Sequence, residues 1–175
     1  MDTLLATVHA LAWAVYVGGS ITMEWVLRYA QRTMPPSQVG VVCKNAGTRY
    51  RWFALVSLLV IGASGAAMFL RIDDAELAAR AGSPELSLGD SYGRTMLLLT
   101  VGWLALAATV AAMAFWLHPA QRKRSRPDMT SEAIAAERLR IGRAIKQMDR
   151  ALKFELVVSV ICIGIAASLR TGGLI

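Results

Sequence analysis

His9, Met68 and Met96 are the residues whose types could hold a metal in this chain. One imidazole and two thioethers make a soft donor set suited to Cu(I), and a histidine with a methionine can also hold haem iron. Arg94 and Arg170, with Tyr92 and Arg71, could neutralise haem propionates or another acidic group, or simply extend long side chains to a polar surface. A second set is ionic. Glu24 precedes Arg28 by one helical turn, and Glu155 follows Lys153 closely, which fits either an ion-pair network or a path for protons or ions. The plainer alternative makes both methionines packing residues and has His9 hydrogen-bond a neighbouring helix.

Other chemistry is excluded. The sequence holds no Cys-x-x-Cys pair, no Cys-x-x-Cys-His haem attachment, no phosphate-binding glycine loop and no Ser/His/Asp set that would meet at one depth. Hydrolase, kinase and covalent cytochrome functions fall away, and a binding protein is favoured over an enzyme. Cys43 and Cys162 belong to a loop and to the middle of an apolar stretch, so no structural disulfide is expected between them.

The elements that must position these residues follow from hydropathy. With 55% hydrophobic and 18% charged residues in 175, the chain carries more apolar surface than one small soluble core can hide. Four stretches, about 4–30, 52–71, 92–118 and 151–170, approach or exceed the ~20 residues that cross a bilayer as helix. The expected fold is all-α, an integral membrane four-helix antiparallel bundle forming a single domain. In such a bundle His9, Met68 and Met96 fall at similar depth near one face. His9 sits roughly 7 to 8 Å inside that face, and His118 lies at the other, so the two histidines cannot share one metal or haem.

The net charge of +7 does not point to nucleic acid, because the basic residues gather in two loops. Arg28, Arg32, Lys44, Arg49 and Arg51 lie between the first and second spans, and Arg122 to Arg150 hold the second group. The middle loop is acidic, with Asp73, Asp74, Glu76, Glu85 and Asp90. The positive-inside rule then predicts a bacterial cytoplasmic membrane protein with both basic loops in the cytoplasm and both termini outside. The first span, with Asp2 in place of a basic leader, reads as retained.

Pro35 and Pro36 should stop the helix that enters from Arg28 to Thr33, and Asp73 to Arg80 should form a short helix. Thr130 and Ser131 can cap a cytoplasmic helical extension, Glu132 to Arg150, that runs into the last span. Its Ile134, Leu139, Ile141, Ile145 and Met148 among Arg and Lys suit either an anionic lipid surface, a partner, or a solvated stalk. Gly18, Gly19, Gly62, Gly65, Ala66, Ala108, Ala112, Gly164 and Ala167 mark possible close approaches between helices.

Short stretches in all four spans resemble the CopD copper-resistance membrane family and, more distantly, the HemJ protoporphyrinogen oxidase family. They are His9-Ala-Leu-Ala-Trp13 through Val17-Gly18-Gly19, Arg49-Tyr-Arg51-Trp-Phe-Ala54 through Gly62-Ala-Ser-Gly65, Tyr92-Gly93-Arg94, and Phe154-Glu155-Leu156. The first resemblance implies copper handling at the membrane, with His9 as a ligand. The second implies a b-type haem on His9 and electron exchange with a porphyrin. Where both families often carry a lysine in the third helix, this chain reads Leu97-Leu-Leu-Thr100. It also lacks the extra spans of longer CopD proteins, which favours a homo-oligomer or a larger complex. The expectation is therefore copper bound by His9, Met68 and Met96, with two alternatives: haem on His9, or an accessory subunit of a membrane enzyme without its own cofactor.

Overall fold

The computed structural model describes residues 3–82, 88–117 and 130–169, and over these the chain is an all-α antiparallel bundle of four long helices. Helix α1, Thr3–Ile21, passes without a break into a π-helical stretch, Thr22–Leu27, and then into α2, Arg28–Thr33. Met34 then turns extended, because the residue before a proline is pushed out of the helical region. Pro36 opens α3, Pro36–Phe69, at the first helical position, where its missing N–H has no partner to lose. Two adjacent prolines thus end one helix and start the next. The basic residues Arg49 and Arg51, expected in a loop, ride on α3 itself.

Helix α4, Asp74–Ala81, is capped by Asp73 Oδ1, which accepts from the Glu76 backbone N–H at 2.7 Å, and it is followed by Gly82 at φ +79°. Helix α5, Ser91–Ala112, continues as a second π-helical stretch, Met113–Leu117. Helix α6, Ser131–Ser168, starts at Thr130, whose hydroxyl accepts from the Ala133 N–H, and joins the expected extension to the last span in one rod.

Four segments are long and apolar enough to cross a membrane: Thr3–Ala30, Asn45–Phe69, Ser91–Trp116 and Gly142–Ser168. α1 packs chiefly on α3 and α5 on α6, while α3–α5 and α1–α6 contacts close the ring. Tyr16, Leu58, Ile61, Leu106 and Val110 fill the core. Leu11, Val15, Leu59, Val101, Leu104, Val157 and Ile161 face outward. The inside also holds Ser20, Glu24, Ser57, Ser64, Thr95, Glu155 and Ser159, all buried. An apolar outside around a partly polar inside is what a bilayer selects, since polar side chains find partners only between helices.

Close approach is concentrated at a few small residues. A Cβ at Gly62 would overlap the Trp103 ring, which is held there by Trp103 Nε1 donating to the Leu58 carbonyl at 2.9 Å. Gly102, which the sequence did not single out, gives the same room to the Cys162 thiol, while Gly18 and Gly164 face open space. Exposed Trp25, Tyr29, Trp52, Phe53, Phe115 and Trp116 gather where α1 ends, α3 enters its span and α5 ends. Such aromatics mark a membrane–water boundary, here called the Arg28 end of the bundle.

Candidate functional site

His9, Trp13, Tyr16, Ser20 and Glu24 follow one another at spacings of four, three, four and four residues, which is one face of a helix. That face of α1 is directed into the bundle, and it supplies three polar clusters.

The cluster at the far end is built on His9. Trp13 Nε1 donates to His9 Nε2 at 3.2 Å, so that nitrogen is the acceptor. His9 Nδ1 therefore carries the ring proton and donates to Ser64 Oγ at 2.9 Å, and Ser64 in turn donates to the Val60 carbonyl at 2.5 Å. The imidazole rests on Gly65 of α3. Both ring nitrogens are engaged, and metal or haem ligation through His9 requires one of these two bonds to open. Met68 lies one turn farther out on α3, about 6 Å along the axis. Met96 precedes Trp103, which packs on Gly62, by seven residues or about 10 Å, and so reaches the same level as Met68. Among the described residues no group of three or more His, Cys, Asp or Glu side chains is placed to hold a metal ion. Arg94 is exposed and donates to the Gly89 carbonyl at 3.2 Å, beside a buried Tyr92. Arg170 and His118 lie outside the described residues.

The middle cluster surrounds Glu155 of α6, two residues past Lys153 and 0% exposed. Tyr50 of α3 donates its hydroxyl to Glu155 Oε2 at 3.1 Å, and the same hydroxyl lies 2.7 Å from Ser20 Oγ of α1. Ser20 Oγ also reaches the Tyr16 carbonyl at 3.1 Å. Ser159, one turn beyond Glu155, donates to the Glu155 carbonyl at 2.6 Å. Two buried oxygens are left without a hydrogen bond, Glu155 Oε1 and the Tyr16 hydroxyl.

This chain of hydroxyls is complete in two directions. With Glu155 ionised, Ser20 donates to Tyr50 and Tyr50 to the carboxylate. With Glu155 protonated, the acid donates to Tyr50, Tyr50 to Ser20, and Ser20 to the Tyr16 carbonyl. Each hydroxyl is both donor and acceptor, so reversing the chain keeps every one of its links.

The third cluster closes the Arg28 end. Arg28 pairs with Glu24 at 3.1 Å on its own helix and with Asp149 of α6, and Lys153 pairs with Asp149 at 3.1 Å. Lys153 thus turns to Asp149, while Glu155 takes a neutral partner. Of the residues expected to act as ions, the structure joins Glu24 to Arg28 and sets Glu155 apart from both.

Sequence reading missed Trp13, Ser64, Tyr16, Ser20, Tyr50, Ser159 and Asp149. The helical spacing of polar residues along α1 would have shown three of them; Tyr50 stands between Arg49 and Arg51, where composition alone reads as a surface loop. The chain matches no family model, no curated protein and no solved structure.

Proposed function

We propose that this multi-pass membrane protein takes up and hands on a proton at Glu155, within the bundle. The observation that supports this is the line from Glu155 Oε2 through Tyr50 to Ser20, each of whose links is kept whether the carboxyl holds a proton or not. A carboxyl that is 0% exposed inside the bundle, with a neutral hydroxyl as its partner, is costly to keep and is a functional candidate on that ground. Tyr50 and Ser20 exchange donor and acceptor roles as the carboxyl gains or loses its proton, so the proton enters and leaves at Glu155 while the two hydroxyls reorient around it. In this reading the basic residues hold the Arg28 end in the cytoplasm of a bacterium, with the termini outside. Further copies or other membrane subunits complete any route across the bilayer.

The test is proton movement in vesicles holding the purified protein and an internal pH dye. Wild type dissipates an imposed pH gradient faster than empty vesicles, and Glu155→Gln does so at the empty-vesicle rate. Equal rates for wild type and Glu155→Gln would remove the proposal.

A second reading keeps copper at His9. It is favoured by the common level of Met68 and Met96, one helical turn from the imidazole, and it requires Trp13 or Ser64 to release the ring. Haem on His9, with Arg94 near its propionates, carries the same requirement.

A further inference from the structure

We infer that Glu155 is reached from the Arg28 end, and that Arg28, bridging Glu24 and Asp149, closes that route. This rests on the reading of Glu155 as the proton-binding group. Asp149 lies six residues before Glu155 on α6, about 9 Å nearer that end, and Glu24 lies four residues, about 6 Å, beyond Ser20 on the other wall. The ion cluster therefore lies on the Arg28 side of the hydroxyl chain, at the level of Trp25 and Tyr29. Its members differ in exposure: the Glu24 side chain is 9% exposed, Arg28 35%, Asp149 37%, and Lys153, which turns outward, 54%. Arg28 joins an inner carboxylate to an outer one across the α1–α6 seam.

The backbone under Arg28 supplies the means of opening. Glu24 lies in the π-helical stretch Thr22–Leu27, and Arg28 is the next residue. A π-helical turn holds one residue more than an α-helical turn, and such turns frequently occur at functional sites. Relaxing it to α-helix would rotate Arg28 by roughly 100° about the axis, off Asp149, while α1 above it stays in place. The cluster has two cations and two anions, so opening it exposes no net charge. Pairs this close to water are weak, which suits a latch that opens often.

A tether with no gating role would hold α1 to α6 without affecting access to Glu155, and the experiment separates the two. Protein in vesicles, with the Arg28 end facing the medium, is treated with a water-soluble carbodiimide, and the adduct on Glu155 is followed by mass spectrometry alongside the melting temperature. Arg28→Gln and Asp149→Asn should each raise the rate of Glu155 modification about threefold to fivefold, the range that loss of one partly exposed ion pair allows. Arg28→Lys, which keeps a cation between Glu24 and Asp149, should hold the rate near wild type, which a general loosening of the fold at this position would not do. Unchanged Glu155 modification in Arg28→Gln and Asp149→Asn would overturn the gate while leaving the Glu155 reading intact. No adduct on Glu155 in any variant, even with a membrane-permeant carbodiimide, would overturn the Glu155 reading and the gate with it.

Discussion

The hydroxyl of Tyr50 donates to Glu155 Oε2 at 3.1 Å, across 105 positions of sequence and from the helix on the opposite side of the bundle's polar seam. It is the only hydrogen bond to the Glu155 carboxyl among the described residues, because Oε1 has no partner. Tyr50→Phe keeps the ring against Gly19 and removes only the oxygen. The expected result is loss of Glu155-dependent proton movement and a stability cost of about 1–3 kcal/mol, the penalty for a buried polar group left unpaired. Vesicle flux and thermal melting in detergent measure the two. Flux at the wild-type rate would show that protons reach Glu155 without Tyr50.

Trp13 competes with any metal for His9, since its indole N–H occupies Nε2. Trp13→Phe removes that donor and should tighten Cu(I) binding by about twofold to tenfold, the worth of one net hydrogen bond. Met68→Leu combined with Met96→Leu should abolish the binding. Metal titration checks both, and an absorption spectrum of protein purified from its native membrane checks haem through the Soret band. A double methionine variant that binds copper as wild type does would remove the copper reading.

The fold was readable because bilayer physics leaves few choices. Four apolar stretches of sufficient length, a proline pair at Pro35 and Pro36, and Thr130 as a cap placed the helices with little ambiguity. The single clear shift, α3 beginning at Pro36 and carrying Arg49 and Arg51, arises because basic composition marks a side of the membrane and says nothing about helix or loop. The interior was harder to read. Ser20, Tyr50 and Glu155 come from three helices, and the rotation of each about its axis decides whether they meet. That rotation is set by contacts such as Gly62 with Trp103 and Gly102 with Cys162, which depend on which helices are neighbours. Lys153 beside Glu155 in sequence suggested an ion pair, but two residues apart on a helix they point to different faces, and Lys153 pairs with Asp149 four residues away.

Gly62 carries the α3–α5 contact. The Trp103 ring that would meet a Cβ there cannot swing aside without breaking its hydrogen bond to the Leu58 carbonyl. Gly62→Ala should therefore destabilise the bundle by about 1–3 kcal/mol, as overpacking does in a filled core. Gly18→Ala, with nothing near the added methyl, should leave stability unchanged. Melting temperatures of the two variants in the same detergent make the comparison. Equal melting would mean that α3 and α5 have room to separate.

Ser20 and Ser159 distinguish a proton chain from a merely polar interior. Both are buried in the same cluster, but Ser20 stands in line with Tyr50, whereas Ser159 gives its hydrogen to the backbone carbonyl of Glu155 and adds nothing to the chain. Ser20→Ala leaves Tyr50 with no hydroxyl to receive its proton when Glu155 is protonated, so the chain stops after one bond. Vesicle flux should fall about tenfold, the equivalent of one unpaired hydroxyl in the transfer step. Ser159→Ala should transfer protons at the wild-type rate while showing a comparable change in melting temperature. If both serines slow the flux equally, the interior acts through its polarity, and the ordered line from Tyr16 to Glu155 does not govern the transfer.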